Sequence, residues 1–109
     1  MTARPLAIEV EELARLREGP DAPVLLDVRE PRELTICRFP DSLDIPMGNL
    51  PGRLAELPTD RPIVVICRSG ARSMQVTRWL RAQGRDDVSN LSGGVLAWAE
   101  RIDPSWQTY

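Results

Sequence analysis

The sequence predicts an α/β domain built on a mainly parallel sheet of about five strands, and three observations point to it. Short apolar runs without alternation recur along the chain, as in strands buried on both faces. Between them, apolar residues return at helical spacing. No repeat, low-complexity stretch or linker breaks this alternation, which is the pattern of a sheet covered by helices. With 109 residues, 42% of them hydrophobic, the chain suits one domain, residues 1–109, around one core.

Leu6-Ala7-Ile8 reads as a short opening strand. Val10, Leu13 and Leu16 follow at helical spacing until Gly19-Pro20 ends the helix. The apolar run from Val24 to Val28, bounded by Pro23 and Pro31, is a buried strand. Glu30-Pro31 begins a short helix through Leu34 and Ile36, proline being tolerated in a first turn. Ser42 to Ile45 is a brief strand closed by Pro46. Leu50, Leu54 and Leu57 mark another short helix, interrupted near its start by Pro51-Gly52. Ile63-Val64-Val65-Ile66 is β-branched and continuously apolar, the mark of a central strand. Val76, Trp79 and Leu80 then form a helical stripe ending at Gly84, and Val88 to Leu91 is the last strand. After Ser92-Gly93-Gly94, the residues Val95, Trp98, Ala99 and Ile102 line one face of a final helix.

Composition narrows the function. Fourteen basic against 16 acidic residues leave a net charge of −2, so no global field draws the chain to nucleic acid or to an anionic membrane. No apolar run approaches the ~20 residues that span a bilayer. Met1-Thr2-Ala3-Arg4-Pro5 carries no apolar segment behind its single positive charge, so a secretory leader is not expected. Two cysteines, Cys37 and Cys67, do not make a disulfide framework, and a reducing, cytoplasmic setting is the expectation. Histidine is absent. That excludes His-dependent triads and Cys–His dyads and disfavours zinc sites.

Cys67 holds the chemical interest. It follows the most buried strand, and the next helix starts a few residues later, the position where open α/β sheets bind ligands. A tight strand-to-helix loop turns several N–H groups inward as an anion nest, reinforced by the helix N-terminus. Gly70 allows the loop to curl, and Arg68 and Arg72 add positive charge. These features favour thiolate, the nucleophilic form, without a neighbouring base. Four residues, Arg68 to Ala71, separate Cys67 from Arg72. Cysteine phosphatases leave one residue more, and their arginine position is Ser73 here. The shorter cradle suits a single sulfur atom carried on Cys67 better than a tetrahedral phosphate.

The segment Cys67-Arg68-Ser69-Gly70-Ala71-Arg72-Ser73 resembles the active-site loop of single-domain rhodaneses. Leu25 to Glu33 is similar to that family's first signature and Asn90 to Trp98 to its last, in the expected order over about residues 5–103. The resemblance implies a three-layer α/β/α fold and thiosulfate sulfurtransferase-like activity. Cys67 would take sulfane sulfur from a small anionic donor, such as thiosulfate or a persulfide, and pass it to an acceptor. That acceptor would be a thiol, cyanide or a sulfur-carrier protein. Arg68, Ser69, Gly70, Ala71, Arg72 and Ser73 would bind the substrate, with their amides cradling the terminal sulfur. No metal or organic cofactor is implied. Members carry a Gly-His-Ile-Pro-Gly-Ala-like run where this chain reads Cys37-Arg38-Phe39-Pro40-Asp41-Ser42. The tail from Asp103 to Tyr109 resembles endings of rhodanese modules fused to ubiquitin-activating-like enzymes.

Plainer roles stand beside these. Cys67 alone could be a small buried hydrophobe, Arg68 a solvated charge, and Arg72 a salt-bridge partner fixing the loop. Cys37 reads as a packed residue rather than a resolving thiol, since disulfide geometry is demanding. Asp27, Arg29 and Glu33 form a charged cluster suited to a structural ion pair and a helix-start contact. Trp79 and Trp98 belong to the core, while Trp106 lies in a tail free to touch a partner. The rival functions are a small cysteine phosphatase or arsenate reductase, and a non-catalytic module that binds a partner through the same pocket.

Overall fold

A computed structural model describes residues 4–109. Ile63–Ile66, with all four side chains buried, has no face it can leave to water and so takes the middle of the sheet. The strands β1 (Ala7–Ile8), β2 (Val24–Asp27), β3 (Leu43–Asp44), β4 (Ile63–Ile66) and β5 (Val88–Leu91) lie in the order β1-β5-β4-β2-β3. Every neighbouring pair is parallel, with Leu26 beside Val65 and Val65 beside Asn90.

Successive side chains of a strand point to opposite faces, and this sorts the apolar residues into two layers. Leu25, Val64, Ile66 and Leu91 meet Val10 and Leu13 of α1 (Val10–Arg17) and Val95 and Trp98 of α4 (Gly94–Arg101). Leu26, Ile63, Val65 and Val88 meet Val76 and Leu80 of α3 (Ala71–Ala82) on the other face. The result is the expected three-layer α/β/α arrangement of five strands. Each fully buried aliphatic side chain contributes about 2 kcal/mol by leaving water. Among the described residues, no helix is long and apolar enough to cross a membrane.

Two local features follow from sequence. The short helix α2 (Pro31–Leu34) begins with proline, and Glu30 and Glu33 cap each other's backbone N–H across it. Met47–Glu56, read from sequence as a helix, is a 3₁₀ segment kinked at Arg53, because Pro51 lacks the N–H that an α-helical ladder needs there.

The tail is folded back. The Trp106 ring lies 4.8 Å from Phe39 at 64°, and Phe39 meets Trp98 at 4.8 Å and 67°. Such edge-to-face pairs bury large apolar area in a fixed geometry. Trp106 therefore closes the α4 side of the core instead of standing free for a partner.

Candidate active site

Cys67 comes one residue after β4, so the alternation that sends Ile66 to the α4 side sends Cys67 to the α3 side. Its side chain lies against the turn that leads into α3. Gly70 takes φ 102°, a left-handed conformation that other residues resist. Its N–H is thereby aimed back at Cys67 Sγ, 3.0 Å away. The N–H groups of Ser69 and Ser73 also serve this sulfur, and the Ser73 hydroxyl oxygen lies 3.2 Å from it.

The last helix holds this turn from outside. Val95 and Leu96 donate their N–H groups to the carbonyls of Cys67 and Arg68, at 3.0 and 3.1 Å. With those carbonyls tied outward, the following amides face the sulfur. The approach is close enough that a Cβ on Gly94 would sit 2.4 Å from the Cys67 oxygen. Gly93-Gly94, read from sequence as a turn beside the site, thus supplies the contact that orients the cradle.

Cys67 is 1% exposed. Burial pushes its thiol up. The Ser73 hydroxyl and the amides of Ser73, Gly70 and Ser69 push it down and prevail, leaving the pKa below the usual cysteine value. The N-terminus of α3 acts in the same direction.

The two arginines expected to attract a donor are both engaged by the chain itself. Arg72 donates through Nη1 and Nη2 to the two Glu33 carboxylate oxygens, at 2.8 Å each. This is the salt bridge fixing the loop that is one of the two roles open to Arg72 from sequence. Arg68 donates through Nε to the main-chain oxygen of Tyr109 at 2.6 Å, and its guanidinium lies 5.1 Å from the Tyr109 ring centre. The Tyr109 hydroxyl donates to Glu33 Oε2 at 2.5 Å and accepts from Arg29 Nη1 at 3.1 Å. Tyr109, a tail residue to which the sequence assigns no role of its own, joins three charged residues beside the loop. Ser69 contributes its amide, and Ala71 begins α3.

Glu33 gains most from this arrangement. Arg72 lowers its pKa to about 2, against a smaller opposing push from burial, with help from the Tyr109 hydroxyl and the Glu30 N–H. A carboxylate with a depressed folded-state pKa stabilises the fold fully above its unfolded value of 4.5 and loses that contribution as pH falls toward 2. Solvent screening limits the effect to about 1 kcal/mol. Glu33→Gln should therefore lower stability at pH 7 and flatten its decline between those pH values. Urea melts across the range check this.

Cys37 and Cys67 are free thiols in core layers on opposite faces of the sheet. Cys37 is a packed residue whose sulfur accepts a long contact of 3.8 Å from Arg29 Nη1. Asp27 and Arg29 form the anticipated structural ion pair, at 2.8 Å and with both side chains fully buried.

Asn90 is the site neighbour that sequence reasoning missed. It is 3% exposed, with Oδ1 2.5 Å from Ser73 Oγ and Nδ2 donating to the Gly70 carbonyl at 3.2 Å. A signal existed: asparagine is disfavoured in strands, and within Val88–Leu91 it had to find polar partners.

Comparison with known proteins identifies the family of this fold. The Rhodanese-like domain family model matches residues 9–101. A sulfurtransferase of Allochromatium vinosum is 42% identical, the alignment covering 84% of this chain and 86% of that protein. The Arabidopsis thaliana adenylyltransferase and sulfurtransferase MOCS3 is 33% identical over 94% of this chain, but the match spans only 25% of that longer protein. The crystal structure of a rhodanese-related protein from Thermoplasma volcanium superposes with a TM-score of 0.82 at 30% identity, covering 90% of this chain and 94% of that one. A family model that matches most of the chain, a relative 42% identical and a superposing fold make the chain a member of the rhodanese-like domain family.

Proposed function

We propose that this chain moves sulfane sulfur through a persulfide on Cys67, from thiosulfate or a persulfide donor to a thiophilic acceptor, in a reducing cytoplasmic setting. The observation that carries this reading is the set of loop amides and the Ser73 hydroxyl around one nearly buried sulfur. In the first step the Cys67 thiolate attacks the outer sulfur of thiosulfate. A new S–S bond forms, and the old one breaks with its electron pair leaving as sulfite. In the second step the acceptor attacks the terminal sulfur, and Cys67 leaves as thiolate. Cyanide would become thiocyanate, and a thiol, free or on a sulfur-carrier protein, would become a persulfide. Splitting the transfer in two is covalent catalysis.

The amides of Ser69, Gly70 and Ser73 act as preorganised donors wherever negative charge develops on sulfur. Arg72 adds a positive field, reduced by Glu33. Near-complete burial of Cys67 favours reactants that present one exposed sulfur atom at the end of a narrow group.

Incubation with thiosulfate should raise the protein mass by one sulfur atom, and cyanide should reverse the gain and release thiocyanate. If neither thiosulfate nor a small-molecule persulfide raises the mass, the chain is no sulfur carrier and the binding-module reading replaces this one.

A further inference from the structure

The hydrogen bonds around Cys67 close into a ring. Gly70 N–H donates to Cys67 Sγ, the Gly70 carbonyl accepts from Asn90 Nδ2, Asn90 Oδ1 faces Ser73 Oγ, and Ser73 Oγ returns to Sγ. Asn90 cannot turn over without placing its oxygen against the Gly70 carbonyl oxygen. Its Oδ1 is therefore fixed toward Ser73, where it can only accept.

Ser73 has a single hydroxyl hydrogen and two neighbours that want it. The 2.5 Å separation between Ser73 Oγ and Asn90 Oδ1 requires a hydrogen between the two oxygens, and only Ser73 can supply it. With that hydrogen on Asn90, Ser73 offers sulfur a lone pair, which suits an S–H donor and repels a thiolate. With the hydrogen turned to sulfur, the thiolate is stabilised, and two buried oxygens are left facing each other. Ser73 is 0% and Asn90 3% exposed, so no water relieves either conflict.

We propose that Asn90 is a positioning residue that competes with Cys67 for the Ser73 hydroxyl hydrogen and so restrains ionisation of the thiol. The persulfide fits this scheme. Once Sγ is bonded to a second sulfur it carries no charge, and the Ser73 hydrogen returns to Asn90. Asn90 thus favours the two states in which Sγ is neutral, the resting thiol and the loaded persulfide, over the thiolate between them. It slows the wasteful reaction of an idle thiolate and holds the sulfur until an acceptor arrives. The inference rests on the sulfur-carrier reading for its purpose but not for its test.

The charged groups near the sulfur do not imitate this behaviour. Arg72 of α3 is the cation that senses Cys67, and it is bound to Glu33 of α2. Tyr109 bonds the same carboxylate and also holds Arg68 of the loop, while Asp27 at the end of β2 and Arg29 just after it neutralise each other. Glu33 titrates near 2, and burial raises Tyr109 above its ordinary value, so neither changes charge between about pH 5 and 9.

The experiment measures the apparent pKa of Cys67 in a Cys37→Ala background. The rate of iodoacetamide alkylation against pH and the thiolate absorbance both report it, without sulfur transfer. Asn90→Leu, which keeps the branched shape and removes the acceptor, should lower the pKa by about half a unit or more. The thiolate fraction below the pKa then rises about threefold or more. In a Ser73→Ala background the same substitution should have no such effect, because Asn90 acts only through that hydroxyl. Asn90→Ala should show the same sign and serves if the leucine variant does not fold. A rise in pKa would mean that Asn90 merely braces the Gly70 carbonyl. An undiminished fall without Ser73 would equally overturn the relay. If sulfur loading fails while the pKa shifts as stated, the relay stands and the carrier reading falls.

Discussion

Cys67→Ser should abolish sulfur uptake, lowering turnover on the order of 10⁴-fold or more. The cradle around residue 67 stabilises a soft anion, because hydrogen bonds prevail over burial and hold the thiol below its ordinary pKa. A serine hydroxyl starts so much less acidic that the same amides cannot ionise it, and among the described residues no base stands beside it to take its proton. Histidine, the usual candidate, does not occur in the chain. Cys37→Ala should retain full loading, since Cys37 lies in the core layer on the far face of the sheet. Mass spectrometry after thiosulfate treatment checks both variants, with thiocyanate release as the kinetic readout. Wild-type loading of the Cys67 variant, or its loss in the Cys37 variant alone, would move the persulfide to the wrong face of the protein and end the proposal.

The contrast between these cysteines shows what could be read from the chain. Cys67 was legible because local rules act on it: a strand apolar on both faces, a loop with glycine at the curl, and a helix start. The same rules recovered the central strands, since their burial is written in consecutive residues such as Ile63 to Ile66. Asn90 and Tyr109 were not legible as site residues. Their roles depend on partners 17 residues away at Ser73 and 76 residues away at Glu33, and only strand register and tail path bring these together. Arg68 and Arg72 show the limit from the other side. Sequence put both in the loop that follows Cys67 but could not show that Tyr109 and Glu33 already hold them.

Arg29→Met should be the most damaging substitution for stability, at a cost of about 3–5 kcal/mol. Arg29 is 0% exposed, and its guanidinium reaches Asp27 Oδ2 at 2.8 Å, the Cys37 carbonyl at 2.8 Å and the Tyr109 hydroxyl at 3.1 Å. Burial disfavours its charge, while bonds to Asp27 and Tyr109 raise its pKa above the ordinary value and keep it protonated. Methionine fills similar space but leaves the Asp27 carboxylate, also 0% exposed, without a counter-charge. For a domain of this size the loss corresponds to a fall of roughly 15–30 °C in Tm, measurable by calorimetry. Asp27→Leu combined with Arg29→Met should recover part of it, because an apolar pair removes the stranded charge. Recovery should stop short of wild type, since the Cys37 carbonyl and the Tyr109 hydroxyl still lack their donor. Sulfur loading per folded molecule should survive, because Arg29 touches the tail and β2 but not the sulfur. A single variant that melts within a few degrees of wild type would show that the pair is dispensable and that Trp106, Arg68 and Glu33 suffice to hold the tail.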